Sequence, residues 1–149
     1  MAIKGTEAAA LHLSHSRIKN QPVLSNWTRV QDYCINRLAH EPVEHFVILG
    51  LDNQNRLIGE ETMSIVKINQ TAVYPREVVN AAFKHHARSV ILFHNHPSGE
   101  AKPSRADIAL TCDIEKALTV IGMTLHDHLI IADTICVSFK SLGLSLIHI

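Results

Sequence analysis

The sequence predicts an α/β fold, a mixed sheet with helices packed against it, in a single domain. Three observations carry this. Segments of helical and strand periodicity follow one another in the order α-β-β-α-β-α-β-β. No internal repeat, low-complexity stretch or linker interrupts them. The 149 residues are 46% hydrophobic and 19% charged, and a chain of this size buries roughly two-thirds of its unfolded surface, so it needs no disulfide or structural metal to fold.

Residues 1–24 show no firm periodicity and are expected to form a loosely attached arm with one helical turn. The folded domain is expected over residues 25–149. Ser25 or Asn26 can cap a helix on which Trp27, Val30, Cys34, Ile35 and Leu38 recur at helical spacing to about His40, where Glu41-Pro42 stops it. The apolar run Glu44 to Leu51, the turn Asp52 to Arg56 and the stretch from Leu57 read as an antiparallel hairpin, its second strand continuing through Ser64-Ile65-Val66-Lys67-Ile68. Pro75 suits the first position of a helix running to about Ala87, with Val78, Val79, Ala82 and Phe83 as its buried stripe. Ser89 to His94 is apolar on both faces and so a central strand. After a loop through Pro103, Ser104 opens a helix that buries Ile108, Leu110, Thr111, Ile114, Ala117 and Leu118 and ends at Gly122. Leu125 to Ile131 and Ile135 to Phe139 close the chain as two strands.

Lys+Arg and Asp+Glu are both 14, giving zero formal charge without a basic run. That is a poor footprint for nucleic acid, where affinity grows with the number of phosphates neutralised. Cys34, Cys112 and Cys136 are odd in number and far apart, which suits reduced, mostly buried thiols in a reducing, cytoplasmic setting. No stretch of eighteen apolar residues occurs, so no membrane partner is expected.

Eleven histidines are the unusual feature of the composition. At the end of the predicted central strand, His94 and His96 lie two residues apart, a spacing that turns both rings to one side of an extended chain. The following helix returns Asp107 in its first turn, completing His-x-His-x(10)-Asp. Two imidazoles and a carboxylate suit Zn²⁺, and three protein ligands leave a fourth position for water, as a catalytic site requires. Ser104 can cap the helix, donate to an oxyanion, or do both. Water activation needs a proton acceptor that is not a ligand, and Glu44, Glu60, Glu61, Glu77 and Glu100 are all available. His126-Asp127-His128 repeats the spacing without a returning carboxylate. It is expected to be supporting at His128 and exposed at His126, while His85-His86 diverge on a helix and cannot chelate together.

His94, His96, Ser104 and Asp107 match H-x-H-x(7)-S-x(2)-D, so the chain resembles the JAB/MPN (JAMM) metalloproteases. The wording His94-Asn95-His96-Pro97-Ser98-Gly99, with Leu51 to Ile58, Val73 to Val79 and Asp127 to Ile130, resembles the RadC branch more narrowly, over about residues 26–144. The resemblance implies a cytidine-deaminase-like fold, Zn²⁺ on His94, His96 and Asp107, Ser104 near the oxyanion, and Glu44 as the catalytic base. It implies a zinc metallopeptidase or isopeptidase acting on a peptide or protein. The alternative is a DNA-repair-associated accessory module without peptidase activity. Full-length proteins of that branch carry an N-terminal helix-hairpin-helix region associated with DNA, where residues 1–24 read as a short arm, so nucleic acid enters only through the resemblance. A deaminase is disfavoured, since no Pro-Cys-x-x-Cys segment is present.

Overall fold

The computed structural model describes residues 2–66 and 73–144. Helices α1 (Ala2–Ile18) and α2 (Trp27–Leu38) precede the hairpin of β1 (Glu44–Leu51) and β2 (Leu57–Val66); α3 (Pro75–Lys84), β3 (Ser89–Asn95), α4 (Arg105–Val120), β4 (Thr124–Ala132) and β5 (Ile135–Ser138) follow. The five strands form one mixed sheet in the order β2-β1-β3-β4-β5. Only the β3–β4 pair is parallel, and α4 makes its crossover. The anticipated continuation of β2 to Lys67-Ile68 lies outside the described residues.

β3 is central and all seven of its residues are buried, because helices cover both faces of the sheet. Strand side chains alternate between faces. Val90 and Leu92 therefore join Phe46, Ile48 and Ile130 beneath α3 and α4. Ile91 and Phe93 join Val47, Leu49, Leu129 and Ile131 beneath α1 and α2. The same parity turns Glu44, His94 and His128 toward the α4 side.

The N-terminal segment departs from expectation: α1 is a helix of 17 residues rather than an arm with a single turn. Its inward positions are Leu11, Ser14, His15 and Ile18, spaced three or four apart. Two of these four are polar, so the helical stripe carried little hydrophobic signal. Ile18 is fully buried against α2 and the sheet, and the Asn20 amide donates to the Leu57 carbonyl at 2.9 Å.

Smaller corrections follow from side-chain direction. α3 stops at Lys84, short of Ala87, and Phe83 is exposed while Ala81 takes the buried position beside Val78 and Ala82. Cys112 is exposed rather than buried. In β4 a register irregularity opposite Val90/Ile91 separates the two histidines. His126 turns to the α2 side, its ring 5.8 Å from that of Trp27, and is half-buried rather than exposed.

Candidate metal centre

The site lies where β3 ends and α4 begins. His94 occupies the penultimate position of β3 and is buried, its ring lying nearly parallel to that of Phe46 at 5.8 Å. His96 is one residue beyond the strand, but its amide still donates to the Ile131 carbonyl at 2.9 Å, which extends the strand geometry and keeps both imidazoles on one side. The chain then turns tightly. Gly99 adopts φ +86°, a conformation open to glycine at little cost, and the Glu100 carbonyl swings back to accept from Nδ1–H of His96 at 2.8 Å. A carbonyl can only accept, so this bond leaves the Nε2 of His96 unprotonated in the neutral ring.

Asp107 arrives through helix capping. The Ser104 hydroxyl accepts from the Asp107 amide at 3.0 Å, and the Asp107 carboxylate accepts from the Ser104 amide at 2.9 Å. This reciprocal box is common at helix starts. Here the same carboxylate also points at the histidines, with Oδ2 3.1 Å from Nε2 of His96 and Oδ1 3.4 Å from Nε2 of His94. The two Nε2 atoms are 3.0 Å apart.

Glu44 opens β1 on the same side, its Oε1 3.9 Å from Nε2 of His94. Asn95, between the two histidines, points the opposite way and straps this strand entry. Its Oδ1 accepts from the His45 amide at 2.7 Å and its Nδ2 donates to the Val43 carbonyl at 3.0 Å. Sequence reasoning had no role for Asn95; the signal was its place in a His-Asn-His run, where a strand's alternate face must also be satisfied. Behind the site, Nδ1 of His94 lies 2.8 Å from Nε2 of the fully buried His128, whose Nδ1 lies 2.7 Å from the Thr111 hydroxyl.

Charge follows the same geometry. Burial would raise the Asp107 pKa, but hydrogen bonds from the protonated forms of His94 and His96 and from the Ser104 amide outweigh it and hold the carboxyl far below its usual range. The hydrogen bond to Asp107 raises the pKa of His96. His128 is depressed well below the ordinary imidazole value, by burial first and by the neighbouring His94 second.

Ligand atoms of Glu44, His94, His96 and Asp107 all fall within 4.8 Å of one another. Donors about 2.0–2.1 Å from a tetrahedral metal are about 3.3 Å apart; the two Nε2 atoms are 3.0 Å apart, and each lies 3.1–3.4 Å from one or the other Asp107 oxygen, close to that spacing. Glu44 stands further back. A polar hollow of about 260 Å³ opens beside His96, lined also by His40, Glu41, Ser98 and Gly99.

Residues 24–144 match the family model of the RadC-like JAB domain. The chain belongs to the RadC-like JAB domain family. Its relatives include a UPF0758 protein of Rhodobacter capsulatus, 46% identical over 142 residues, which cover 95% of this chain and 66% of that protein. A UPF0758 protein of Ruegeria pomeroyi is 40% identical over 141 residues, covering 95% of this chain and 63% of the relative. The chain thus spans slightly under two-thirds of the length of these curated relatives. The superfamily has zinc hydrolase members, and the mixed five-stranded sheet flanked by helices is the JAB/MPN fold expected from sequence. Among the described residues no helix is long and apolar enough to cross a membrane.

Proposed function

We propose that this RadC-like JAB domain is a zinc-dependent hydrolase of amide bonds, a metallopeptidase or isopeptidase acting on a peptide or protein. The observation that carries this reading is the convergence of Glu44, His94, His96 and Asp107 within 4.8 Å, three at tetrahedral spacing and one set back. His94, His96 and Asp107 are the metal ligands. Bound there, Zn²⁺ supplies a Lewis acid for the substrate carbonyl and acidifies water to a pKa of about 7.

Glu44 stands on the ligands' open side as the general base. It takes the proton of the attacking water and delivers it to the leaving nitrogen. Ser104 spends only its oxygen lone pair on the Asp107 amide, so its own proton is free to be donated to the oxyanion. Asn95 holds the entry of β1 and with it the position of Glu44. The free thiols of Cys34, Cys112 and Cys136 support a reducing, cytoplasmic setting as part of the same reading.

The test is metal analysis with a peptidase assay on three variants. His96→Ala and Asp107→Ala should lose bound zinc, whereas Glu44→Gln should keep zinc and lose hydrolysis by at least about 100-fold. Unchanged zinc in both ligand variants would sink the site. DNA binding that survives Asp107→Ala, with no hydrolysis by the wild type, would replace the reading with that of a DNA-associated module.

A further inference from the structure

His128 reaches the metal centre through His94, and Thr111 through His128 and the Asp107 backbone carbonyl; the direction of their hydrogen bonds can be derived. The Thr111 hydroxyl is 2.7 Å from the Asp107 carbonyl four residues earlier on α4 and 2.7 Å from Nδ1 of His128. A carbonyl has no proton and a hydroxyl has one. That proton must lie toward Asp107, or two lone pairs would face each other at contact distance. Thr111 therefore accepts from His128, whose Nδ1 carries hydrogen. His128 is fully buried, with a hydroxyl at one nitrogen and an imidazole at the other, so no carboxylate stands against either nitrogen to favour a second proton. Its Nε2 is then a lone pair, and at 2.8 Å it accepts from Nδ1–H of His94. One proton thus sits on Nδ1 of His94, so Nε2, the nitrogen that faces Glu44, His96 and Asp107, is the one left for a metal.

Ring packing holds this alignment. The His128 ring stacks on Phe139 at 4.5 Å and meets Phe46 edge-on at 5.5 Å, and Phe46 also lies along His94. The chain of bonds begins on the Asp107 carbonyl and ends at the ring beside the Asp107 carboxylate, so α4 orients two ligands at once.

We propose that Thr111 and His128 are positioning residues that hold the proton of His94 on Nδ1 and so turn its Nε2 toward the metal position before any metal arrives. The inference deepens the zinc reading and rests on it for the identity of the metal. Partners of this kind typically alter metal affinity about 10- to 100-fold.

The test pairs a metal-free measurement with a metal-binding one. Histidine ¹⁵N NMR of the metal-free wild type should show His94 protonated at Nδ1, with His128 protonated at Nδ1 and accepting at Nε2. Thr111→Val, nearly the same shape without the hydroxyl, should mix the tautomers of His128 and His94 and weaken zinc binding about tenfold. Thr111→Ser should restore both signatures. His128→Leu should weaken zinc binding about 10- to 100-fold, while His128→Gln, which retains an acceptor, should stay within a few-fold of wild type. Wild-type zinc affinity in folded Thr111→Val, or His94 without a proton on Nδ1 in the metal-free protein, overturns the proposal. Should the wild type bind no zinc at all, the hydrolase reading fails, yet the tautomer measurement still decides the relay.

Discussion

Ser104 and Asp107 cap one another, and the carboxylate that completes the cap is the one turned toward both histidines of the centre. Helix start and the placement of this candidate ligand are therefore a single event. Replacing Ser104 by alanine should cost about 1 kcal/mol in urea unfolding, the usual worth of such a cap. Under the proposed mechanism it should lower turnover beyond any loss of zinc, because the missing hydroxyl also faced the oxyanion. A variant with wild-type turnover would remove Ser104 from the chemistry.

Tyr33 should report on alkaline stability. Its phenol donates to the Glu60 carboxylate, and burial, reinforced by that negative charge, raises its pKa well above the ordinary value. A raised pKa means the native state keeps a proton that the unfolded chain releases, so the contribution is complete below about pH 10 and is lost as pH rises further. Phenolate absorbance from Tyr33 should emerge only with unfolding, and Tyr33→Phe should flatten the decline of stability above about pH 10. An early phenolate signal from folded protein would contradict this.

Gly59 is required for close approach rather than for backbone freedom. A Cβ there would stand 2.6 Å from Nδ1 of His85, whose Nε2 holds Glu61 at 3.0 Å. Gly59→Ala should destabilise by about 1–3 kcal/mol through overpacking, read as a lowered Tm. Adding His85→Ala should recover part of the loss, a coupling that a double-mutant cycle measures; simple additivity would count against the contact.

Ile18 tests whether the first helix belongs to the folded unit. It is 1% exposed, and truncating a buried isoleucine to alanine typically costs 2–5 kcal/mol. Ile18→Ala should approach that range and accelerate amide exchange in α2. An effect below about 0.5 kcal/mol would return residues 1–24 to the status of a detached arm.

Much of the framework was readable because burial imposes periodicity. The unbroken apolar run of β3 gives its central place, and a proline at the first position marks the start of α3. His94, His96 and Asp107 were legible for the same reason, since a two-residue step on a strand and a first-turn position on a helix each fix where a side chain points. α1 was not, as Ser14 and His15 occupy its inward face. Nor was the divergence of His126 from His128, which depends on an irregularity in pairing with another strand. Thr111 was read as one more member of a buried stripe. Its hydroxyl acquires a role only through residues 4 and 17 positions away, and no local pattern encodes the latter contact.

The turn that brings the Glu100 carbonyl back to His96 is closed before Ala101. Ala101-Lys102-Pro103 thus lies between the closed turn and the helix cap. Under the proposed function, a lineage could lengthen or recolour those three positions and change what the centre admits while His94, His96 and Asp107 stay in place. For the protein engineer, they are the natural place to diversify a library.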